Sequence, residues 1–211
     1  MKRIKMMGFF AIVLLLFSCS STKITSSWKA SDANINHYSK VLVVGLLPPK
    51  YRNAQAAMEN RMVKDLKKNG INATSAYTEF GPKAFNNKSE EKMLASLRDK
   101  GYDAAITIVL EDKTNEKYRS PGSVSYQPAG YYRNRFSGYY STIYGRYYTP
   151  GYTTTETNYL WETNMYDLKT DAMLYSVQSK SFNPSSAESI GKQYSKNIVK
   201  DMEKKGLITK S

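Results

Sequence analysis

The sequence predicts an α/β (α+β) domain built on a single mixed β-sheet, with its helices packed against the sheet. Three observations lead there. Two continuous apolar, β-branched runs, at 40–47 and 103–111, suit strands buried on both faces. Stretches with apolar residues at helical spacing alternate with strands. Three helix ends share one local grammar: Lys67-Lys-Asn-Gly70-Ile71, Arg98-Asp-Lys-Gly101-Tyr102 and Glu203-Lys-Lys-Gly206-Leu207. In each, glycine supplies a left-handed residue, the hydrophobe packs back, and the cations oppose the negative end of the helix dipole.

The chain opens with Met1-Lys-Arg-Ile-Lys5, an apolar run to Phe17, then Ser18-Cys19. A basic head, a short greasy core and a small residue before the cut describe a signal peptide over 1–18. The run is too short to span a ~30 Å hydrocarbon core as a helix. Leu16-Phe17-Ser18-Cys19 resembles the lipobox of bacterial lipoproteins, with Phe17 a less usual residue within it. That resemblance implies acyl chains on Cys19 as the first mature residue, a membrane anchor. Cys19 is the only cysteine, so no disulfide supports the fold. The residues after it, Ser20-Ser21-Thr22-Lys23, carry neither the Asp of inner-membrane retention nor an acidic export run. By resemblance to the lipoprotein sorting rules, the expected address is the cell outer membrane, on its periplasmic face.

Cleavage before Cys19 removes 18 residues and three charges, leaving 193 residues at +10. This length supports one domain with a sizeable core. The basic balance points to acidic partners such as lipid phosphate or acidic glycan, or to solubility alone. Export makes nucleic acid an unsuitable partner.

Residues 19–39 are rich in Ser, Thr, Asn and Lys and read as a lipidated tether, with a short edge strand at 24–28. The domain then runs over 40–208. Its order reads β-α-β-α-β, a Tyr-rich insertion at 118–159, a β-hairpin and a last α. The first helix, at 52–69, carries Ala54, Met58, Met62 and Leu66 as one stripe, flanked by Ala57 and Val63. A strand is expected at 72–80 and a shorter helix at 89–100, with Met93, Leu94 and Leu97 inward. The βαβ order implies parallel pairing of the first three strands. Residues 153–168 alternate as a half-exposed strand, 169–171 turn, and 172–182 return. Ser185-Ser-Ala-Glu188 reads as a capping box opening a helix to Lys205, with Ala187, Ile190, Tyr194, Ile198 and Met202 inward.

The insertion holds 11 of the chain's 18 tyrosines, interleaved with glycines, and no Asp or Glu between Tyr118 and Thr155. The candidate binding residues are Tyr131, Tyr132, Arg133, Arg135, Tyr139, Tyr140, Tyr144, Arg146, Tyr147 and Tyr148. Tyrosine offers rigid amphipathic area at low entropy cost, and arginine a planar donor fork for carboxylate or phosphate. Three readings stand open: a binding surface, a long hairpin continuing its flanking strands, or a low-complexity linker.

Catalytic chemistry is sparse. The single histidine, His37, lies in a polar stretch and reads as a solvated residue. No His/Cys cluster has metal spacing, no Gly-rich phosphate loop follows a strand, and no nucleophile elbow is present. Neither a cofactor nor a metal is expected. Glu111-Asp112, at a strand end facing the insertion, is the best carboxylate pair for a hydrolase. Adjacent strand residues point to opposite faces, which argues against shared work.

The Cys19 lipobox, the Lys40-Val-Leu-Val-Val-Gly45 opening, the Gly70 helix end, the Asp103-Ala-Ala-Ile106 strand, the Tyr/Gly-rich insertion, the Thr163-Asn164-Met-Tyr-Asp167-Leu hairpin and Phe182-Asn-Pro-Ser-Ser resemble a group of small Gram-negative lipoproteins with a domain of unknown function. The resemblance implies an α/β lipoprotein domain and carries no catalytic residues. The expectation is therefore a non-enzymatic binding or scaffold module of the cell envelope. Its partner is expected to be an envelope protein, alternatively envelope glycan or lipopolysaccharide. A hydrolase around Glu111 and Asp112 is the third reading.

Overall fold

The computed structural model describes residues 22–82, 90–120, 123–124, 148–149 and 152–209. The signal peptide and Cys19 lie outside the described residues.

Six strands form one mixed sheet: β1 (Thr22–Lys29), β2 (Val41–Leu46), β3 (Ala73–Ser75), β4 (Ala104–Ser120), β7 (Tyr152–Asp167) and β8 (Met173–Phe182). Their spatial order is β1-β8-β7-β4-β2-β3. Two residues from each side of the insertion, β5 (Ser123–Val124) and β6 (Tyr148–Thr149), pair antiparallel as a second small sheet. The helices are α1 (Arg52–Lys68), α2 (Ala76–Phe80), α3 (Glu90–Asp99) and α4 (Ala187–Lys204).

The parallel half follows the βαβ rule. β2 pairs parallel with β3 from Val41↔Ala73 and with β4 from Val41↔Ala104. Alternation along β2 then divides the core. Val41 and Val43 pack with Met58, Met62 and Leu66 of α1 and with Ile190, Tyr194, Ile198 and Met202 of α4. Leu42 and Val44 pack on the other face with Ala76, Leu97, Tyr102 and Ala105. α1 and α4 thus cover one face, and α2 with α3 the other. Trp161 and Met165 of β7 and Tyr175 and Val177 of β8 extend the larger core.

The three glycine helix ends form as their sequences require. Gly70, Gly101 and Gly206 have φ of 78°, 78° and 69°. The N–H groups of Ile71, Tyr102 and Leu207 reach back to the carbonyls of Leu66, Leu97 and Met202. All three hydrophobes are buried. This is the Schellman arrangement, which satisfies otherwise orphaned carbonyls.

Several expectations change. The strand expected at 72–80 ends at Ser75, and α2 takes over. Ser75 Oγ accepts the Thr78 N–H at 3.1 Å, and the Glu59 carboxylate accepts the Tyr77 N–H at 2.7 Å. Ser186, in extended backbone, caps α4 by accepting the Ser189 N–H at 3.1 Å. Ser185 therefore stands outside the cap, and Glu188 is not its reciprocal partner. The short edge strand expected at 24–28 forms, extended to Thr22–Lys29 at the edge of the sheet, and the rest of the described stretch read as a tether is built into the fold. β1 pairs antiparallel with β8 from Thr22↔Ser181 to Lys29↔Tyr175, and Ile35 is fully buried. His37 is exposed at the end of a single 3₁₀ turn, Ile35–His37.

Two compact units result. One comprises the described parts of Met1–Lys113 and Tyr159–Ser211; the other is Thr114–Asn158.

Candidate functional site

Among the described residues, β4 and β7 are the longest strands, at 17 and 16 residues. Each runs from the first unit into the second, and together they carry the Tyr-rich stretch. Ala104, Ala105, Ile106 and Ile108 of β4 are buried, whereas Glu111 to Asn115 are exposed. The strand thus continues after its side chains have left the core. Within the second unit, Thr157 Oγ1 donates to Asn115 Oδ1 and Asn158 Nδ2 donates to Glu116 Oε1, both at 3.0 Å. Ser123↔Thr149 and Val124↔Tyr148 are paired further along the insertion. The described part of the insertion is therefore strand. Tyr131, Tyr132, Arg133, Arg135, Tyr139, Tyr140, Tyr144, Arg146 and Tyr147 lie outside the described residues. Of the candidates, Tyr148 alone falls on a described strand, β6.

Where β4 and β7 leave the first unit, aromatic rings and a lysine meet. Lys113 Nζ lies 5.3 Å from the Tyr159 ring centroid and 6.0 Å from that of Tyr51, within cation–π range. Tyr159 stacks on Trp161 at 5.8 Å, and Trp161 meets Tyr194 edge-on at 5.8 Å. The row runs from an exposed ammonium into the buried core. Trp161 Nε1 donates to Ser181 Oγ at 3.2 Å, and Tyr194 OH is hydrogen-bonded to Thr163. Burial raises the Tyr194 phenol well above its usual range.

The carboxylates sort differently from the sequence expectation. Glu111 is paired with Glu162 of β7 and not with Asp112. Asp112 Oδ1 accepts the Lys113 N–H at 2.7 Å. A hydrogen bond with Glu162, then slight desolvation at the strand surface and the neighbouring charge, hold the Glu111 carboxyl above its usual value. The same bond, reinforced by donation from Asn164 Nδ2, holds Glu162 below. Glu111 is thus the member that keeps a shared proton longer. The pairing depends on the register of β4 against β7, which no local motif signals.

A second carboxylate missed in the sequence is Glu59, fully buried on α1. Its Oε1 accepts the Gly45 N–H at 2.7 Å and Gln55 Nε2 at 3.0 Å. Its Oε2 accepts Ser75 Oγ and the Tyr77 N–H, each at 2.7 Å. Four donors fill the carboxylate and tie α1 to β2, β3 and α2. The available signal was position: Glu59 stands four residues before Val63, on the flank of the apolar stripe. Beside it, a cleft of about 450 Å³ opens at the end of β2, lined by Gly45, Leu47, Pro48, Gln55 and Tyr77. A more apolar cleft of about 400 Å³ lies under α3, between Leu46, Met93, Leu94 and Tyr166. Among the described residues, no group of three or more His, Cys, Asp or Glu could hold a metal ion. Nor, among them, is any helix long and apolar enough to cross a membrane.

No protein family and no curated protein matches the chain. Solved structures resemble it at a distance. The PelC dodecamer from Paraburkholderia phytofirmans is 11% identical over 90% of this chain and 98% of that one, with a TM-score of 0.40. Lipoprotein GNA1162 from Neisseria meningitidis is 13% identical over 79% and 99%, with a TM-score of 0.41. A neuraminyllactose-binding hemagglutinin homolog from Helicobacter pylori is 10% identical over 85% and 93%, with a TM-score of 0.40. Likeness of this degree says nothing of what this chain binds or how it assembles.

Proposed function

We propose that the chain is a lipid-anchored, non-enzymatic binding or scaffold module of the Gram-negative cell envelope. Cys19 carries the anchor at the periplasmic face of the outer membrane, and residues 118–159 engage an envelope protein. The observation that supports this reading most is the pair of strands that flank the insertion. β4 and β7, the two longest strands among the described residues, both lead into it. Among the described residues they remain hydrogen-bonded strand beyond the point where the core ends. Between these two strands in the sequence lies a stretch rich in Tyr and Arg, free of acidic side chains over 118–155.

Deleting 118–159 and joining the strand ends tests the reading. The expected variant folds, with its thermal transition retained, but no longer captures the partner that the parent chain captures from envelope extracts. Global unfolding of the deletion would assign the insertion to the structure of the sheet. Capture of lipopolysaccharide or acidic glycan in place of a protein would replace the proposed partner. The anchor is tested separately by the intact mass of the mature chain, which is expected to carry the acyl groups on Cys19.

A further inference from the structure

We infer that the outward side of α4, together with the neighbouring edge of β1, lies against the anionic phospholipid headgroups of the leaflet holding the anchor. This rests on the anchor reading above. Without a tether at 22–39, the anchor leaves the domain little freedom. β1 begins at Thr22, three residues after Cys19. Three extended residues reach at most about 11 Å. The start of β1 is therefore held at the headgroup level.

α4 stands at that corner. Asn197 Nδ2 donates to the Thr22 carbonyl at 2.7 Å. Ile24 of β1 lines one cleft of about 200 Å³ with Lys200 and Lys204. The helix carries Lys192, Lys196, Lys200 and Lys204 at a spacing of four, and all four are exposed. Each step of four advances about 40° around a helix, so the ridge winds through about 120°. It runs from Lys192 and Lys196, which share a groove with Arg61 and Lys68 of α1, to Lys200 and Lys204 beside β1.

Like charges at this spacing oppose helix formation. None of the ion pairs among the described residues, Arg61–Asp65, Lys68–Asp65 and Lys100–Glu79, involves the ridge. Among the described residues, no acid of α4 forms an ion pair with a ridge lysine. Three acids share the helix. Asp201 accepts the Tyr175 hydroxyl at 2.7 Å and lines the cleft with Lys200 and Lys204. Glu188 stands in the first turn, four residues before Lys192, and Glu203 lines the groove with Lys192, Lys196 and Lys200. The four lysines thus keep a small excess of positive charge. An exposed lysine ridge free of ion pairs among the described residues, within one short reach of a membrane anchor, matches an anionic leaflet. Each lysine near such a surface strengthens binding about fivefold.

The test is lysine footprinting by acetylation of the full mature chain, purified from cells and reconstituted on vesicles. One set is phosphatidylethanolamine with phosphatidylglycerol; the other is phosphatidylcholine. Lys192, Lys196, Lys200 and Lys204 are expected to label at least about fivefold more slowly on the anionic vesicles, and equally on both at high salt. Lys100, at the end of α3 on the other face of the sheet, and Lys169, in the β7–β8 turn, are expected to label alike on both. Replacing the four ridge lysines by Gln is expected to release the chain's footprint on Lys23, while replacement by Arg retains it.

The intact mass, read on the same sample, separates the two claims. An acylated chain with equal labelling on both vesicles overturns the docking face and leaves the anchor reading standing. An unacylated chain that is still protected keeps the face and overturns the anchor. An unacylated, unprotected chain overturns both. Protection that appears only with added peptidoglycan or lipopolysaccharide overturns the phospholipid occupant.

Discussion

Replacing Glu59 by Ala probes the buried carboxylate that joins four elements. The substitution removes the acceptor for the Gly45 and Tyr77 N–H groups and for the Ser75 hydroxyl. Gln55 is half-exposed and turns to water. Leaving a buried donor unsatisfied costs about 1–3 kcal/mol, so three of them place the expected loss near 4 kcal/mol. That is a large part of the ~5–15 kcal/mol typical of a domain. Glu59→Gln keeps one oxygen and relieves the buried charge, but its amide N–H₂ faces either Gly45 or Tyr77, so a loss of about half as much is expected. Urea unfolding followed by far-UV circular dichroism gives both values. Hydrogen exchange supplies a local check: the Gly45 and Tyr77 amides are expected to lose protection beyond the global change. A Glu59→Ala loss below about 1 kcal/mol would refute the reasoning, because the three buried donors would then not depend on this carboxylate.

Gly191 marks the close approach of α4 to α1, since an added Cβ would stand 2.9 Å from the Ala57 carbonyl oxygen and 3.1 Å from its carbon. Gly191→Ala is therefore expected to lower stability by about 1–2 kcal/mol despite the better helix propensity of Ala; a rise in the thermal midpoint would contradict it. Asp103 accepts hydrogen bonds from the Ser39 N–H, the Ser39 hydroxyl and the Lys40 N–H. Burial alone raises its pKa, but these bonds outweigh burial and hold it below the usual value. Its contribution is then present above the unfolded Asp value near pH 4 and lost as pH falls through the lower folded value. Asp103→Asn is expected to be less stable than the parent at pH 7, with the gap narrowing below about pH 4 in a pH series of unfolding midpoints. Gly206→Ala, at φ 69°, is expected to cost about 1 kcal/mol through backbone strain alone, measurable by urea unfolding.

What was legible in the sequence was what local chemistry decides. The ends at Gly70, Gly101 and Gly206 needed only a glycine, a following hydrophobe and hydrogen bonds within six residues. The stripe of Met58, Met62 and Leu66 and the run Val41 to Val44 announced burial by their spacing. What escaped was set by partners distant in the chain. The stretch at 72–80 has strand composition, yet Glu59 captures the Tyr77 N–H from 18 residues away and turns it into helix. The edge strand at 24–28 was legible, but its extension to Thr22–Lys29 and the packing of the residues after it were not, because β8 supplies its backbone partners from the far end of the chain. The same holds for the candidate site. Alternation correctly parted Glu111 from Asp112, but only the register of β4 on β7 reveals Glu162 as the partner. The binding residues proposed at 131–147 were chosen by composition and lie outside the described residues.

The most direct measurement of the proposed function is photo-crosslinking from a probe at Tyr140 in growing cells, with the adducts identified by mass spectrometry. A discrete envelope-protein adduct is expected, lost when the probe is moved to exposed Lys169 on the β7–β8 turn. Absence of any adduct at Tyr140, with the protein present and anchored, would contradict the assignment of partner binding to the insertion.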